Sequence, residues 1–191
     1  MYWTDEGYLL SKNNFDENSI IIEAFTQEHG KYTGIVYGGS SRKQKRIFQI
    51  GNKILLNWRS KNENRTGYFN VELIEPISPF FFDDKKRSVC ILAAASILKI
   101  LLPERQINKK IYHSFEKILN DLKSDNWINL YINWELSLIK ELGYEDSLKI
   151  NTDKSIKKAL IFNRNLFMEN FITPNQLKFP LFRNILENYF I

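Results

Sequence analysis

Two prolines three residues apart divide this sequence into halves with different periodicity. Pro76 and Pro79, in the stretch EPISPF, follow a region of short apolar runs that are rich in β-branched and aromatic residues. After these prolines, apolar residues recur at helical spacing up to residue 142. The sequence therefore predicts an α+β protein, with a β-domain over residues 1–78 and a helical domain over residues 79–191.

The first half contains five runs that are typical of strands. They are separated by turn-forming stretches such as DENS, EHGK and KNENR. Five antiparallel strands in so short a segment favour a small closed barrel over an open sheet, because closure removes exposed strand edges. An OB-type barrel and an SH3-like barrel both fit this pattern.

The second half predicts a helical bundle. Asp83 and Asp84 can cap and charge the start of a first helix, which Pro103 ends. Between Val89 and Leu102 this helix is apolar nearly all round, as expected for the central helix of a bundle. Gly143 fits a left-handed position just after the third helix. Further helices are predicted over four ranges: 109–122, 127–142, 156–170 and 181–190.

Composition limits the kind of protein further. The single cysteine, Cys90, excludes an intrachain disulfide and a cysteine-based zinc site. The N-terminal MYWTDEGYLL has two acids and no basic region, so no secretory signal is expected. The longest apolar stretch is too short to span a bilayer. We therefore expect a cytoplasmic protein with no membrane partner.

The residue types that perform catalysis are scattered along the sequence. His29 and His113 fall in different predicted domains, and neither has a second His or Cys at ligand spacing. The stretch YGGSSRKQ lacks the terminal Gly-Lys-Ser/Thr of a nucleotide-binding P-loop. The sequence thus predicts no catalytic residue, no metal site and no cofactor, and an enzyme such as a nuclease is not expected.

Positive charge, by contrast, is segregated within the barrel half. The net charge is +5, and the segment from His29 to Asn62 contains no acid. Aromatic residues are interleaved with its bases, and this combination suits nucleic acid, since phosphates release counterions and bases stack on rings. The predicted DNA-binding residues are Lys31, Tyr37, Arg42, Lys43, Lys45, Arg46, Lys53, Trp58, Arg59 and Lys61.

An alternative hypothesis is a protein-interaction adaptor that has only incidental affinity for DNA. An acidic peptide ending in Phe would need an apolar notch rimmed by bases. The aromatic residues of the third predicted helix, together with Lys99, Arg105 and Lys140, could supply such a notch.

Several motifs resemble the RecO family of bacterial recombination-repair proteins. The stretch SIIIEAFTQEHGKYTGIVYGG, residues 19–39, resembles the second and third barrel strands of that family around a Glu-His-Gly-Lys block. FQIGNKILLNWR resembles the segment that introduces the fourth strand, and VELIEP, LLPER and WELSLIKELGY follow in the family's order. The resemblance covers residues 3–144 and implies an N-terminal OB domain followed by a helical domain.

The resemblance also implies a function. RecO-like proteins are non-catalytic, nucleoid-associated mediators that bind single- and double-stranded DNA and anneal complementary strands. With RecR, in the RecF pathway, they help to load RecA on gaps coated with single-stranded-DNA-binding protein, whose acidic C-terminal tail they bind. The implied DNA contact lies in the loop after the third strand, which here carries Arg42, Lys43, Lys45 and Arg46.

One feature of the family is missing. Many members carry four cysteines that form a zinc module after the LGY helix, and this chain lacks them. The segment between Asp146 and Ala159 is too short for that module, whereas the tail after it still resembles the family's terminal helices. We therefore expect a helical domain without zinc, and this leaves open whether a RecR contact through the missing segment is retained.

Overall fold

The computed structural model describes residues 1–41, 44–62, 66–144 and 155–190. The first half is a closed barrel of five strands in the order β1-β2-β3-β5-β4. Strands β3 and β5 are parallel, and every other neighbouring pair is antiparallel, as in an OB-type barrel. The strands are β1 (Tyr2–Asn14), β2 (Ser19–Thr26), β3 (Gly30–Tyr37), β4 (Lys53–Arg59) and β5 (Gly67–Glu75).

Alternation along the strands fills the barrel with apolar side chains. On β4, Ile54, Leu56 and Trp58 belong to the inner core, while the residues between them face outward. Two large rings fit inside because glycines face them. A Cβ atom at Gly67 would lie 2.3 Å from the Trp58 indole, and one at Gly34 would lie 2.4 Å from the Phe69 ring.

Five α-helices follow, close to the predicted positions. The Asp84 carboxylate caps the first by accepting a hydrogen bond of 3.0 Å from the Arg87 amide, and Gly143 adopts φ +98° after the third. A 3₁₀ turn (Ser78–Phe81) precedes the first helix, and a π-helical turn (Met168–Ile172) ends the predicted range 156–170. The helices are α1 (Lys85–Leu101), α2 (Lys109–Asp121), α3 (Trp127–Glu141), α4 (Ile156–Phe167) and α5 (Leu181–Asn188). No described helix is long and apolar enough to cross a membrane.

The barrel and the helices share a hydrophobic core. Tyr8 and Phe25 point out of the barrel, and both rings contact Tyr112 of α2, with centroid separations of 5.4 and 5.6 Å. Tyr8 also donates a hydrogen bond of 2.8 Å to the Glu116 carboxylate. The core therefore crosses the boundary predicted at residue 78, and the division into two domains stays a prediction.

Candidate nucleic-acid interface

The basic segment after β3 presents cations on an anchored turn. Lys45 and Arg46 lie in a turn with their side chains exposed, and within the described part of the chain neither forms an ion pair. The same segment places Phe48 in the barrel core. Its backbone is therefore held while its charges stay in solvent. The neighbouring predicted residues Arg42 and Lys43 lie outside the described residues.

Asn52 supplies much of this anchoring. Its buried amide nitrogen donates to the carbonyl oxygens of Arg46 and Ile47, at 3.1 and 3.2 Å. Its amide oxygen accepts from the backbone N–H groups of Ile77 and Ser78, at 3.0 and 3.1 Å. One side chain thus connects the basic turn to the junction between barrel and helices.

Lys12 on β1 adds a third cation to this surface. Its ammonium donates to the Phe48 carbonyl, and its pKa is lowered by partial burial and by the nearby charge of Lys45. Sequence reasoning missed Lys12 because it lies far from the basic segment along the chain. Its outward position on an alternating strand is the only sequence signal for it.

Three of the predicted DNA-binding residues are buried or held by contacts within the protein. The buried Lys31 ammonium donates to the Lys99 carbonyl at 2.6 Å, and burial lowers its pKa. Lys53 pairs with Glu116 and Glu6 at 3.0 and 3.2 Å.

The pKa of Lys53 shows that carboxylates within the protein already neutralise its charge. Burial alone would lower the pKa of this ammonium, but the hydrogen bonds to Glu116 and Glu6 outweigh burial and raise it.

Trp58, the third of these residues, is 2% exposed inside the barrel and offers no face to a base. Lys31, Lys53 and Trp58 are therefore less available to a ligand than the exposed Lys45 and Arg46.

The remaining predicted residues share one end of the outer barrel surface. The Tyr37 ring stacks on that of Tyr68, with centroids 5.1 Å apart and planes 20° from parallel. Arg59 pairs in register with Tyr68 on one side and Tyr2 on the other, and its guanidinium lies 5.2 Å from the Tyr2 ring centroid. Lys61 follows β4 and is exposed.

The face of an OB barrel that usually binds ligands, formed by β2 and β3, is largely covered here. Thr33 of β3 donates to the Glu104 carboxylate at 2.6 Å, and the Arg105 amide donates to the Lys31 carbonyl at 2.8 Å. Helix α2 covers Phe25 on the neighbouring strand. At the far end of β3, Tyr37 is exposed.

The predicted partner-binding residues are not gathered around a notch. The Lys99 ammonium pairs with Glu23 of β2 at 2.7 Å, and the Arg105 guanidinium lies 5.4 Å from the Tyr32 ring centroid. Both residues thus join the end of α1 to the barrel, whereas Lys140 lies on α3. A cleft of about 270 Å³ does run between α2 and α3 beside Trp134, but none of these three residues lines it.

The two histidines have local structural surroundings. The Nδ1 atom of His29 lies 2.9 Å from the Asp5 carboxylate, and its ring stacks on Trp3 with centroids 4.2 Å apart. His113 lies on α2 with Nδ1 3.6 Å from the Glu116 carboxylate. In the ranges that the structure describes, no three His, Cys, Asp or Glu side chains are grouped as metal ligands.

Comparison with known proteins decides the family. The model for "Recombination protein O N terminal" matches residues 1–77, and the model for "Recombination protein O C terminal" matches residues 83–149. The "DNA repair protein RecO" of Wolbachia sp. subsp. Drosophila simulans is 32% identical over 164 residues, which cover 85% of this chain and 68% of that protein. The chain belongs to the RecO family.

RecO relatives are longer than this chain. The "DNA repair protein RecO" of Roseobacter denitrificans is 35% identical over 150 residues, which cover 78% of this chain and 62% of that protein. The chain therefore spans about two thirds of the length of these two RecO relatives. The RecO resemblance and OB-type fold inferred from sequence are confirmed. Most of the segment expected to lack the zinc module, residues 145–154, lies outside the described residues.

Proposed function

We propose that this RecO-family chain is a non-catalytic DNA repair and recombination mediator that binds single- and double-stranded DNA. The observation that carries the proposal is the family match, since the similar proteins are named for DNA repair. The exposed charges of Lys45 and Arg46 give that role a physical basis. Arg42 and Lys43 are included in the proposed contact by their sequence position.

The mechanism is electrostatic. Cations that contact phosphates release condensed counterions, and this stabilises duplex and single strands without base recognition. Because Asn52 and Phe48 already hold the turn, little backbone order has to be created on binding. Neutralising the phosphates of two complementary strands allows them to approach and pair, so annealing should need no ATP.

The proposed partners follow from the family. They are RecR, the acidic tail of single-stranded-DNA-binding protein and, indirectly, RecA on coated gaps. An adaptor that works through Lys99 and Arg105 has less support, because contacts with Glu23 and Tyr32 already hold those side chains.

The salt dependence of DNA affinity tests the proposed contact. Replacing Lys45 and Arg46 by Ser should flatten the log–log salt slope for duplex DNA by roughly two units, and including Arg42 and Lys43 should raise this to roughly three to four. The matched control replaces Lys157 and Lys158, an adjacent exposed pair on α4, by Ser. An equal loss of slope in that control would contradict an assignment to the basic turn.

Annealing tests the mediator role. Complementary oligonucleotides, bare or coated with single-stranded-DNA-binding protein, should anneal faster with the chain than without it, in the absence of ATP. Failure to anneal bare strands while DNA binding persists would exclude annealing as part of the function. Failure only on coated strands would exclude the proposed handling of the coating protein.

A further inference from the structure

An aromatic and amide surface covers the outside of the barrel where β4 ends and β5 begins. In register across β1, β4 and β5, one row holds Tyr2, Arg59 and Tyr68, and the next row holds Thr4, Asn57 and Asn70. Tyr37 joins the first row from β3 by stacking on Tyr68. We call this surface the tyrosine face, and it consists of Tyr2, Tyr37, Asn57, Arg59, Tyr68 and Asn70.

The three rings of the tyrosine face are open to solvent. Tyr2, Tyr37 and Tyr68 are 60%, 65% and 42% exposed. An exposed patch of rings within one face is a feature of binding surfaces rather than of a solvated exterior. The neighbouring Tyr68 hydroxyl group is the main cause of the raised pKa of Tyr37.

Hydrogen-bond donors lie beside these rings. The Asn57 amide oxygen accepts from the Thr4 and Tyr2 hydroxyl groups, at 2.7 and 3.2 Å. This fixes the amide and leaves its NH₂ group without a partner among the described residues. Asn70 likewise makes no side-chain hydrogen bond within the described ranges. Both amides line a cleft of about 390 Å³ together with Arg59, Tyr68 and Phe69.

The charge of the tyrosine face comes from Arg59, and the nearby acids among the described residues lie at its margins. In the part of the chain that the structure describes, Arg59 has no carboxylate partner. One row further along the sheet, Glu6 and Glu72 flank Leu55 and would repel a polyanion. Asp16 lies on the Tyr37 side, where its carboxylate accepts from the Asn18 and Ser19 amides. Repulsion by these acids and attraction to Arg59 favour an anionic strand that lies across the three rings.

We propose that the tyrosine face binds unpaired nucleobases of a single strand, with bases stacked on Tyr37 and Tyr68, a phosphate on Arg59 and the Asn57 and Asn70 amides at a base edge. This proposal rests on the proposed DNA-binding function. Flat rings flanked by amide donors and a cation match a base and its phosphate.

The basic turn and the tyrosine face contact different parts of a DNA strand. The turn with Lys45 and Arg46 meets phosphates, which both duplex and single strands present. Bases in a duplex are already stacked on one another, so they cannot lie on the tyrosine rings. The tyrosine face therefore creates a preference for single strands, and apart from Tyr37 it lies on β1, β4 and β5, beside the covered part of the β2–β3 face.

A double variant distinguishes base stacking on the tyrosine face from phosphate binding at the basic turn. Replacing Tyr37 and Tyr68 by Ala should weaken binding of a labelled deoxythymidine oligonucleotide at least about thirtyfold, because two stacked bases are lost and each contributes roughly 1–3 kcal/mol. Binding of a hairpin duplex should change less than about twofold. Replacing both tyrosines by Phe should retain single-strand affinity, since stacking needs only the ring. The control is Tyr189→Ala, which removes a ring that is 39% exposed at the end of α5.

Crosslinking gives an independent measurement on the unaltered protein. An oligonucleotide with iodouracil, irradiated in the complex, should crosslink to Tyr37 or Tyr68, and peptide mass spectrometry locates the site. Crosslinks confined to other residues would overturn the proposal, as would equal losses of single-strand and duplex affinity in the Ala variant. If the wild-type chain bound neither DNA, the proposed function would fail. If it bound both but the Ala variant kept full single-strand affinity, only the tyrosine face would be rejected.

Discussion

The guanidinium of Arg183 on α5 is fully buried and donates to both carboxylate oxygens of Glu135 on α3. The same guanidinium donates hydrogen bonds to the Leu160 carbonyl of α4 at 2.8 Å and to the Glu187 carboxylate at 3.1 Å. Asn163 completes the group by donating to Glu135 at 3.0 Å. Three helices are thus joined by one polar cluster, and the attraction to these carboxylates raises the pKa of Arg183 despite its burial.

Removing Arg183 should therefore destabilise the protein strongly. In Arg183→Met, the buried Glu135 carboxylate loses its counter-ion, and we expect the free energy of unfolding to fall by about 3–5 kcal/mol. Urea denaturation measures this change. The comparison is Arg164→Met, which removes a cation that is 38% exposed and pairs with Glu187, and which should cost no more than about 1 kcal/mol. Similar losses in both variants would contradict a special role for the buried pair.

Asn52 should be needed for the stability of the basic turn. Asn52→Ala removes partners from the buried Ile77 amide, the partly buried Ser78 amide and two carbonyls, so we expect a loss of about 3 kcal/mol in the free energy of unfolding. Asn52→Asp retains the acceptor for Ile77 and Ser78 but loses the donor to Arg46 and Ile47. Denaturation of Asn52→Asp should give an intermediate value if both halves of the amide contribute. Wild-type stability in either variant would refute the assigned role.

Acid should weaken the contact between the barrel and α2. Burial would raise the pKa of Glu116, but its hydrogen bonds with Lys53 and Tyr8 outweigh burial and lower the pKa below its usual value of 4.5. A lowered folded-state pKa stabilises the protein above about pH 4.5, and this contribution is lost as the pH falls through the folded-state value.

Glu116→Gln isolates this contribution. We expect the variant to be less stable than the wild type at pH 6, and the difference in the free energy of unfolding to shrink as the pH falls below about 4.5. Denaturation at a series of pH values measures it. The control, Glu141→Gln, removes a carboxylate that lies 3.5 Å from the exposed Lys110 ammonium and should show little difference at any pH. A pH-independent deficit in Glu116→Gln would exclude a titrating contact.

Gly30 should tolerate no side chain, because the segment after α1 packs directly on it. Gly30 has φ +77°, and an added Cβ atom would lie 2.2 Å from the backbone oxygen of Gln106. We expect Gly30→Ala to lower the free energy of unfolding by about 2 kcal/mol or more. Gly38→Ala is the matched control, with φ +71° and open space around the added atom, and should cost about 1 kcal/mol. Equal melting temperatures for the two variants would argue against the close approach.

The elements of this fold were predictable because their signals are local. Apolar periodicity located five strands and five helices, and the capping residues Asp84 and Gly143 marked helix ends as expected. The cluster around Arg183 and Glu135 was not anticipated. A charged residue on a predicted helix is ordinarily solvated, and nothing local distinguishes two residues, one on α3 and one on α5, that meet only in the packed bundle.

The order of strands and helices, the family and the acid-free basic segment could all be read from the sequence, since each depends on neighbouring residues. Which basic side chains are available to a ligand depends on how the strands and helices pack. Lys31, Lys53 and Arg59 look alike along the chain, yet the first donates to Lys99, the second pairs with Glu116, and the third faces solvent beside Tyr68. Barrel closure decides which side of each strand lies inside, and helix packing decides which outward charges meet a partner.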